Sequence, residues 1–433
     1  MSQITSINAP QQPIPKHYSV IIVGGGQAGL SLSYYLKQYG IDHLILEKNT
    51  VTHTWRTQRW DTFCLVTPNW QCALPGYPYT GNDPNGFMVK DEIIEYLDGF
   101  IKMVDAPVLE GTEVKSVKLN EAGYFDVVSS NVEFTATQVV VASGGYHIPI
   151  IPRMAERLPA NVTQIHSEQY KNSQQIPAGN VLVVGSGQSG AQIAEDLHLD
   201  GRKVYLAVGD SPRCARFYRG KDVVDWLADM NYYDMPVGEH PLREGVRDNS
   251  NHYLTGRDGG RDIDLRQFAN EGMELFGLLQ DLDNGVLKFA PDLIAKLGEA
   301  DLTYSRINAS IDKFIAKNGI EAPAGRVYEP VWQPKVERTE LDITEAGITS
   351  IVWCIGFRPD FSWVDAPVFN GRGNPSHDRG ITPQQGLYFL GLPWLYTWGS
   401  GRFSGIARDA LFIADNIKAR QMIPAKSKVM AAA

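Results

Sequence analysis

Cysteine is scarce in this chain. Its 433 residues include 4, at Cys64, Cys72, Cys214 and Cys354. No two form a C-x-x-C, and none stands with histidines at metal-ligand spacing. The sequence therefore argues against a disulfide framework and against a metal site, and it suits a reduced, cytoplasmic protein. Long apolar runs are missing as well. No stretch approaches the roughly 20 residues that a membrane span requires. The opening segment, MSQITSINAPQQPIPKHY, lacks the apolar centre of a signal peptide. An excess of basic charge is also absent, with 40 Lys and Arg against 49 Asp and Glu for a net charge of -9. That balance disfavours nucleic acid and anionic membranes as partners.

What the chain does have is glycine in two matching turns. VIIVGGGQAGL carries Gly24, Gly26 and Gly29, and VLVVGSGQSGA carries Gly185, Gly187 and Gly190. Each set follows an apolar strand and opens a helical stretch, the context in which G-x-G-x-x-G is informative. The first glycine permits a tight turn, the second lets backbone approach a pyrophosphate, and the third lets the helix pack closely. Gln27 and Ala28, like Gln188 and Ser189, then begin a helix whose unbonded N–H groups favour phosphate. The echo continues downstream. VVVASGGYHIPIIP (139–152) and IVWCIGFRPD (351–360) are each a strand ending in a glycine turn, which marks Ser143, Gly144 and Gly356 as cofactor neighbours.

The expected fold class is α/β, with two Rossmann-like dinucleotide-binding domains, the second inserted into the first. The expected boundaries are 18–155 with 325–422 for the first domain and 156–324 for the second. A substrate-region insertion is expected at 212–320, and disordered ends at 1–17 and 423–433. EVKSVKLN and YFDVVSS read as a hairpin, and QPKVERTELDITEAGITSIVWC repeats that arrangement. Helices are expected at 29–39, 91–103, 190–199, 305–318 and 405–420.

The two turns differ in charge. After the first, HLILE ends in Glu47, followed by Lys48. A carboxylate there accepts ribose hydroxyls and repels a 2′-phosphate, which suits FAD or NAD. In the second unit the counterpart of Glu47 is Val208. Asp210 comes two places late, and Arg213 and Arg216 follow. Arginine binds phosphate bidentately, so this turn suits NADPH, while Asp210 keeps NADH open.

Taken together, these motifs resemble the class B flavoprotein monooxygenases, the flavin-containing monooxygenase and Baeyer–Villiger group, and within it a small bacterial branch. The likeness spans most of residues 18–420. It implies FAD on the first turn and NADPH on the second. NVTQIHSEQYKN resembles the linker motif F-x-G-x-x-x-H-x-x-x-(Y/F/W), with His166 and Tyr170 matching and the Phe and Gly missing. Tyr170-Lys171 in place of Trp-Pro leans toward N- or S-oxygenation. TWRTQRWDTFCLVTPNWQCALPG (54–76) resembles the flavin-lining stretch. By that likeness Trp55 and Arg56 lie near pyrophosphate and ribose, while Thr67 and Asn69 approach the ring and Asn69 holds the oxygenated flavin. Ser404 and Ile406 match the last flavin contact, where a helix start faces the ring edge.

The implied activity is NADPH-driven insertion of one oxygen atom from O₂ into a small organic substrate, through a flavin C4a-hydroperoxide. Three alternatives stand beside it. One is an NAD(P)H oxidase or dehydrogenase without a stable peroxyflavin. Another is a disulfide reductase, for which Cys64 and Cys72 stand in the wrong motif. The third is a non-catalytic flavin-binding protein. Trp226, Tyr232, Tyr233 and Tyr253 are candidates to meet the substrate, and Arg257 and Arg261 are expected to face cofactor phosphates or solvent. A homo-oligomer is left open.

Overall fold

Two sheets grow from the apolar runs of the sequence. The computed structural model describes residues 16–422 apart from 211 and 250. The strand His17–Val23 lies parallel to His43–Leu46 on one side and to Glu133–Val141 on the other, so Ile22 sits between Ile45 and Val140. Strands covered on both faces read as continuous apolar runs, and these do. Val114–Leu119 and Phe125–Ser129 add the expected hairpin, antiparallel to each other, and Phe125–Ser129 pairs antiparallel with Glu133–Val141. Leu387–Phe389 closes against the end of the same long strand, completing an 8-stranded sheet.

The second sheet has 5 strands, in the order Thr163–His166, Ile348–Trp353, Asn180–Val184, Val204–Ala207 and Glu274–Phe276. All are parallel. Val183 sits between Leu206 and Val352 as Ile22 sits in the first sheet. A 3-stranded antiparallel group, Leu279–Asp283, Val286–Phe289 and Glu340–Asp342, stands beside it as the counterpart of the first unit's hairpin.

The helices pack by apolar stripes. Leu30, Leu32 and Leu36 of Gln27–Gln38 are buried in one cluster with Ile93, Leu97 and Phe100 of Lys90–Val104 and Ile413 of Ile406–Gln421. In Gln188–Leu199, Ile193, Ala194 and Leu197 are buried against the second sheet. The helix expected at 305–318 begins at Leu293, because its stripe of Leu293, Leu297, Ala300, Tyr304, Asn308, Ile311 and Ile315 starts there.

Three expected boundaries move. Ile348–Trp353 lies inside the second sheet, so the second unit runs past 325 to Trp353. The chain crosses back where Phe357–Arg358 pairs antiparallel with Ile148–Pro149. An apolar run does not name its partner strand, which is why the sequence misplaced it. The insertion 212–320 is likewise too wide, since Glu274–Phe276 is the fifth strand of the second sheet. His17 already belongs to the first strand, and the rest of the expected disordered ends lies largely outside the described residues. All 4 cysteines are buried and unbridged. Among the described residues there is no metal-binding cluster, and no helix is long and apolar enough to cross a membrane.

The placement of Ile348–Trp353 can be tested. Ile351 is fully buried in it. Ile351→Ala is expected to lower the unfolding free energy by about 2–5 kcal/mol, read as a lower urea midpoint. An unchanged midpoint would remove this strand from the core.

Candidate functional site

Both glycine turns are built alike. Gly24 has φ +115°, and a side chain there would come within 2.6 Å of the Ala142 carbonyl oxygen. Gly185 has φ +98°, and its side chain would come within 2.6 Å of the Cys354 carbonyl oxygen. Gly29 and Gly190 each press against the carbonyl of their own first glycine, Gly24 and Gly185. Only hydrogen fits at these four positions. The result is a helix seated tightly at the end of its strand. Gly26 and Gly187 are the N-cap residues, and neither helix has a side-chain cap. Their first N–H groups are orphaned and point at whatever anion arrives. The position over Gly26 is open, with no atom within 4 Å. This is a cradle that fits a dinucleotide pyrophosphate. Ala28 is buried beneath the first turn, while Ser189 is exposed on the second.

Glu47 stands where the sequence placed it. Its Oε2 accepts from the Gly25 N–H at 2.7 Å and its Oε1 from Asn49 N–H at 2.9 Å. The carboxylate is thus held at the strand end with acceptor capacity to spare. Lys48 is exposed. Around the open end, Ser143 carries a buried hydroxyl without a partner, and Ser404 carries another. Gly144 and Gly356 have positive φ with open space beside them. Ile406 is fully buried and starts a helix whose N-cap, Gly405, also lacks a side-chain cap.

The second turn departs from expectation. Arg213 is buried and pairs with Asp301 at 3.0 Å and Asp264 at 3.5 Å, between the rings of Tyr304 and Tyr328. Burial opposes its charge, but Asp264 and its other neighbours raise its pKa overall. Arg216 is fully buried, reaches Asp222 at 2.5 Å and donates to the Val66 carbonyl at 2.7 Å. Both charges are neutralised inside the protein, so neither offers a cation to a 2′-phosphate. Spacing showed two arginines beyond a strand, but it could not show the aspartates folded onto them. Asp210 is exposed and pairs with Lys296 at 2.5 Å. Gln188 turns aside to bond both the carbonyl and the N–H of Leu254.

Arg257 and Arg261 do not face solvent or phosphate freely. Arg257 donates to Asp196 at 2.9 Å, and Arg261 reaches the buried Glu195 at 2.5 Å. Asp196 also accepts from Thr62 at 2.6 Å and Tyr170 at 2.6 Å. This network ties the helix after the second turn to the 54–76 stretch and to the linker. Trp226 and Tyr253 are core residues, whereas Tyr232 and Tyr233 are half-buried beside Trp394 and Trp398.

In the 54–76 stretch, Trp55 donates to the Gln27 side chain at 3.1 Å, and Gln27 in turn donates to the Gly401 carbonyl at 3.0 Å. Trp55 stacks on Phe403 with ring centroids 5.1 Å apart. Arg56 pairs with Asp98, which spends its charge away from the turn. Thr67 is half-buried. Asn69 is buried and clamps a loop: it donates to the Asp83 carbonyl at 3.0 Å and accepts from Met88 N–H at 2.7 Å.

His166 is buried in the linker. Its Nε2 lies 3.1 Å from the Gly356 carbonyl, and its Nδ1 faces the Glu168 N–H at 3.4 Å. That arrangement demands the neutral tautomer with the proton on Nε2, and burial pushes the pKa below its ordinary value. With both nitrogens engaged by backbone, the ring positions the crossing between the units. The thiols are poorly suited to redox exchange, since burial raises the pKa of Cys64 and pushes Cys72 up to about 12.

The chain resembles known proteins over most of its length. Residues 21–230 match the family profile described as pyridine nucleotide-disulphide oxidoreductase. An uncharacterized CzcO-like oxidoreductase of Geobacillus kaustophilus is 33% identical over 92% of this chain and 97% of that one. A probable indole-3-pyruvate monooxygenase of Arabidopsis thaliana, YUCCA3, is 25% identical over 95% of this chain and 89% of that one. A flavin-containing monooxygenase from Stenotrophomonas maltophilia superposes with a TM-score of 0.65 at 18% identity, covering 94% of this chain and 100% of that chain.

The linker histidine gives a pH prediction. Its folded pKa lies below the unfolded value of about 6.5, so its stabilisation is complete above that pH and is lost as pH falls. Wild type should therefore lose more stability between pH 7 and 5 than His166→Gln, measured by urea unfolding. Equal losses would show that the ring is not held neutral.

Proposed function

The chain belongs to the CzcO-like oxidoreductases, within the class B flavoprotein monooxygenases, and from that premise we propose that it uses NADPH and FAD to transfer one oxygen atom from O₂ to a small organic substrate. The observation that carries this reading is the pair of uncapped glycine turns, one with a strand-end carboxylate and one without. Bound flavin supplies hydride acceptance and oxygen activation, which side chains cannot perform. The first turn, with Gly24, Gly26, Gly29 and Glu47, holds the FAD. Ser143, which lies against Gly24, would join that turn in holding it, and the helix start at Ile406 with the Ser404 hydroxyl would supply further contacts.

The second turn, with Gly185, Gly187, Gly190 and Ser189, holds the NADPH pyrophosphate. With Arg213 and Arg216 committed to aspartates, Lys296 is the cation beyond that strand end which can meet the 2′-phosphate. Its partner Asp210 is 88% exposed and can swing into water, which leaves the lysine with Asp292 of its own helix, 3.4 Å away, as its remaining carboxylate. Asn69 keeps one amide N–H beyond its two backbone bonds, available to the flavin edge. The aromatic stack of Trp55 and Phe403, tied to the first turn through Gln27, would shield the bound group there from water. N- or S-oxygenation is the favoured outcome, in keeping with Tyr170-Lys171 at the linker.

Anaerobic addition of NADPH is expected to bleach the flavin spectrum. With oxygen and an amine or sulfide substrate, O₂ uptake is expected to exceed H₂O₂ release. Stoichiometric H₂O₂ with every substrate would make the protein an oxidase, and failure to bleach would sink the scheme. Lys296→Ala should raise the KM for NADPH about tenfold or more, the worth of one charged hydrogen bond, and leave NADH unaffected. An equal change for both cofactors would remove Lys296 from the 2′-phosphate.

A further inference from the structure

Most half-buried or buried arginines in this protein lie against carboxylates, as Arg56, Arg213, Arg216, Arg257, Arg261 and Arg266 do. Arg202 has no carboxylate, but its guanidinium is spent on the carbonyls of Ser173, Pro177 and Gly179. Arg59 and Arg402 differ from all of these. Both are half-buried, yet their hydrogen bonds among the described residues go to neutral oxygens. Arg59 donates to the Gln58 carbonyl at 2.9 Å. Arg402 donates to the Trp398 carbonyl and to Asn251 Oδ1 at 3.0 Å. Burial lowers the pKa of both, Arg59 to about 10.

The two cations share one wall. Arg59 lies 4.6 Å from the ring of Trp55, Trp55 stacks on Phe403, and Arg402 is the residue before it. Beyond Arg402 the wall is aromatic. Its guanidinium lies 3.9 Å from the Trp398 ring, which packs 4.4 Å from Tyr233. Tyr233 belongs to the segment outside both glycine-turn repeats, and that segment is fixed to the flavin-side tail by Asp234–Arg408 at 2.6 Å and Val237 N–H to the Tyr396 carbonyl at 2.7 Å.

A guanidinium drawn out of water without a counter-charge is costly, and a cleft is where a ligand can supply that charge. Its planar fork matches a carboxylate, and flat rings beside it match a flat apolar body. We propose that Arg402, with Arg59 at the other end of the Trp55–Phe403 stack, is the anion-recognition point of the substrate cleft, and that the substrate is an aromatic molecule bearing a carboxylate. The proposal rests on reading this cleft as the flavin site. The aromatic surroundings of Arg402, whose neighbour Gly401 is bonded by Gln27 of the first turn and not by the second, favour such a substrate over the phosphate of the nicotinamide cofactor.

The test uses the flavin-loaded protein, titrated with phenylacetate and with phenylacetamide, reading tryptophan fluorescence and flavin absorbance. The acid is expected to bind about tenfold or more tightly than the amide, one charge-assisted hydrogen bond's worth. Arg402→Gln should abolish that preference, Arg402→Lys should keep part of it, and Arg59→Gln should reduce it. Equal binding of acid and amide, binding of neither, or an unchanged preference in Arg402→Gln would overturn the proposal. So would an equal loss of NADP⁺ affinity in Arg402→Gln together with competition between NADP⁺ and phenylacetate, since the anion would then be the nucleotide's. If Arg402→Gln does not fold, Arg59→Gln and the salt dependence of the acid preference in the unaltered protein decide it. Flavin bleaching by NADPH is measured on the same sample. Bleaching without acid preference removes this inference alone, and acid preference without bleaching removes only the monooxygenase reading.

Discussion

Everything in this molecule depends on how closely two helices are seated against two strand ends. Gly29 touches the Gly24 carbonyl, and Gly190 touches the Gly185 carbonyl. Those contacts leave no room for a methyl group, and they fix the first turn of each helix beside an open space. Because Gly26 and Gly187 provide no side-chain cap, the helix N–H groups stay unspent. A site for phosphate is thus created by what glycine omits. The stabilisation that a cap gives a helix is forgone in both places.

Charge is managed differently in the rest of the protein. Arg213, Arg216, Arg257 and Arg261 are each matched to an aspartate or glutamate. The partners of Arg213, Arg257 and Arg261 lie on distant parts of the chain and bind the 213–262 segment to the second unit, while Arg216, paired with nearby Asp222, ties it to the 54–76 stretch through the Val66 carbonyl. Buried pairs of this kind add little net stability, but breaking one leaves a stranded charge. They therefore specify how the segment sits. Against that background the neutral surroundings of Arg59 and Arg402 carry information.

The local elements were legible because their signals are local. Glycine spacing gave both turns, the acid at Glu47 followed from its place at a strand end, and the hairpin at 114–129 followed from alternation. The extent of the second unit was harder to read. Ile348–Trp353 is an apolar run that could pair in either sheet, and only its neighbours Thr163–His166 and Asn180–Val184 assign it. Asn69 and His166 were found as residues, but their hydrogen bonds to the 83–88 loop and to Gly356 were not visible from spacing.

By itself, the sequence determined that this chain carries two dinucleotide turns of unlike charge, because both the turn and the strand-end acid are written within about 25 residues of chain. Tertiary structure alone decided which arginines remain available. Arg213 looked available until Asp301, far along the chain, closed on it. Arg402 drew no attention until folding set Asn251 against it and Tyr233 on the neighbouring Trp398, with no carboxylate among its hydrogen-bond partners. The physical reason is that a charge is defined by its surroundings within a few ångströms, and those surroundings come from segments the sequence keeps apart.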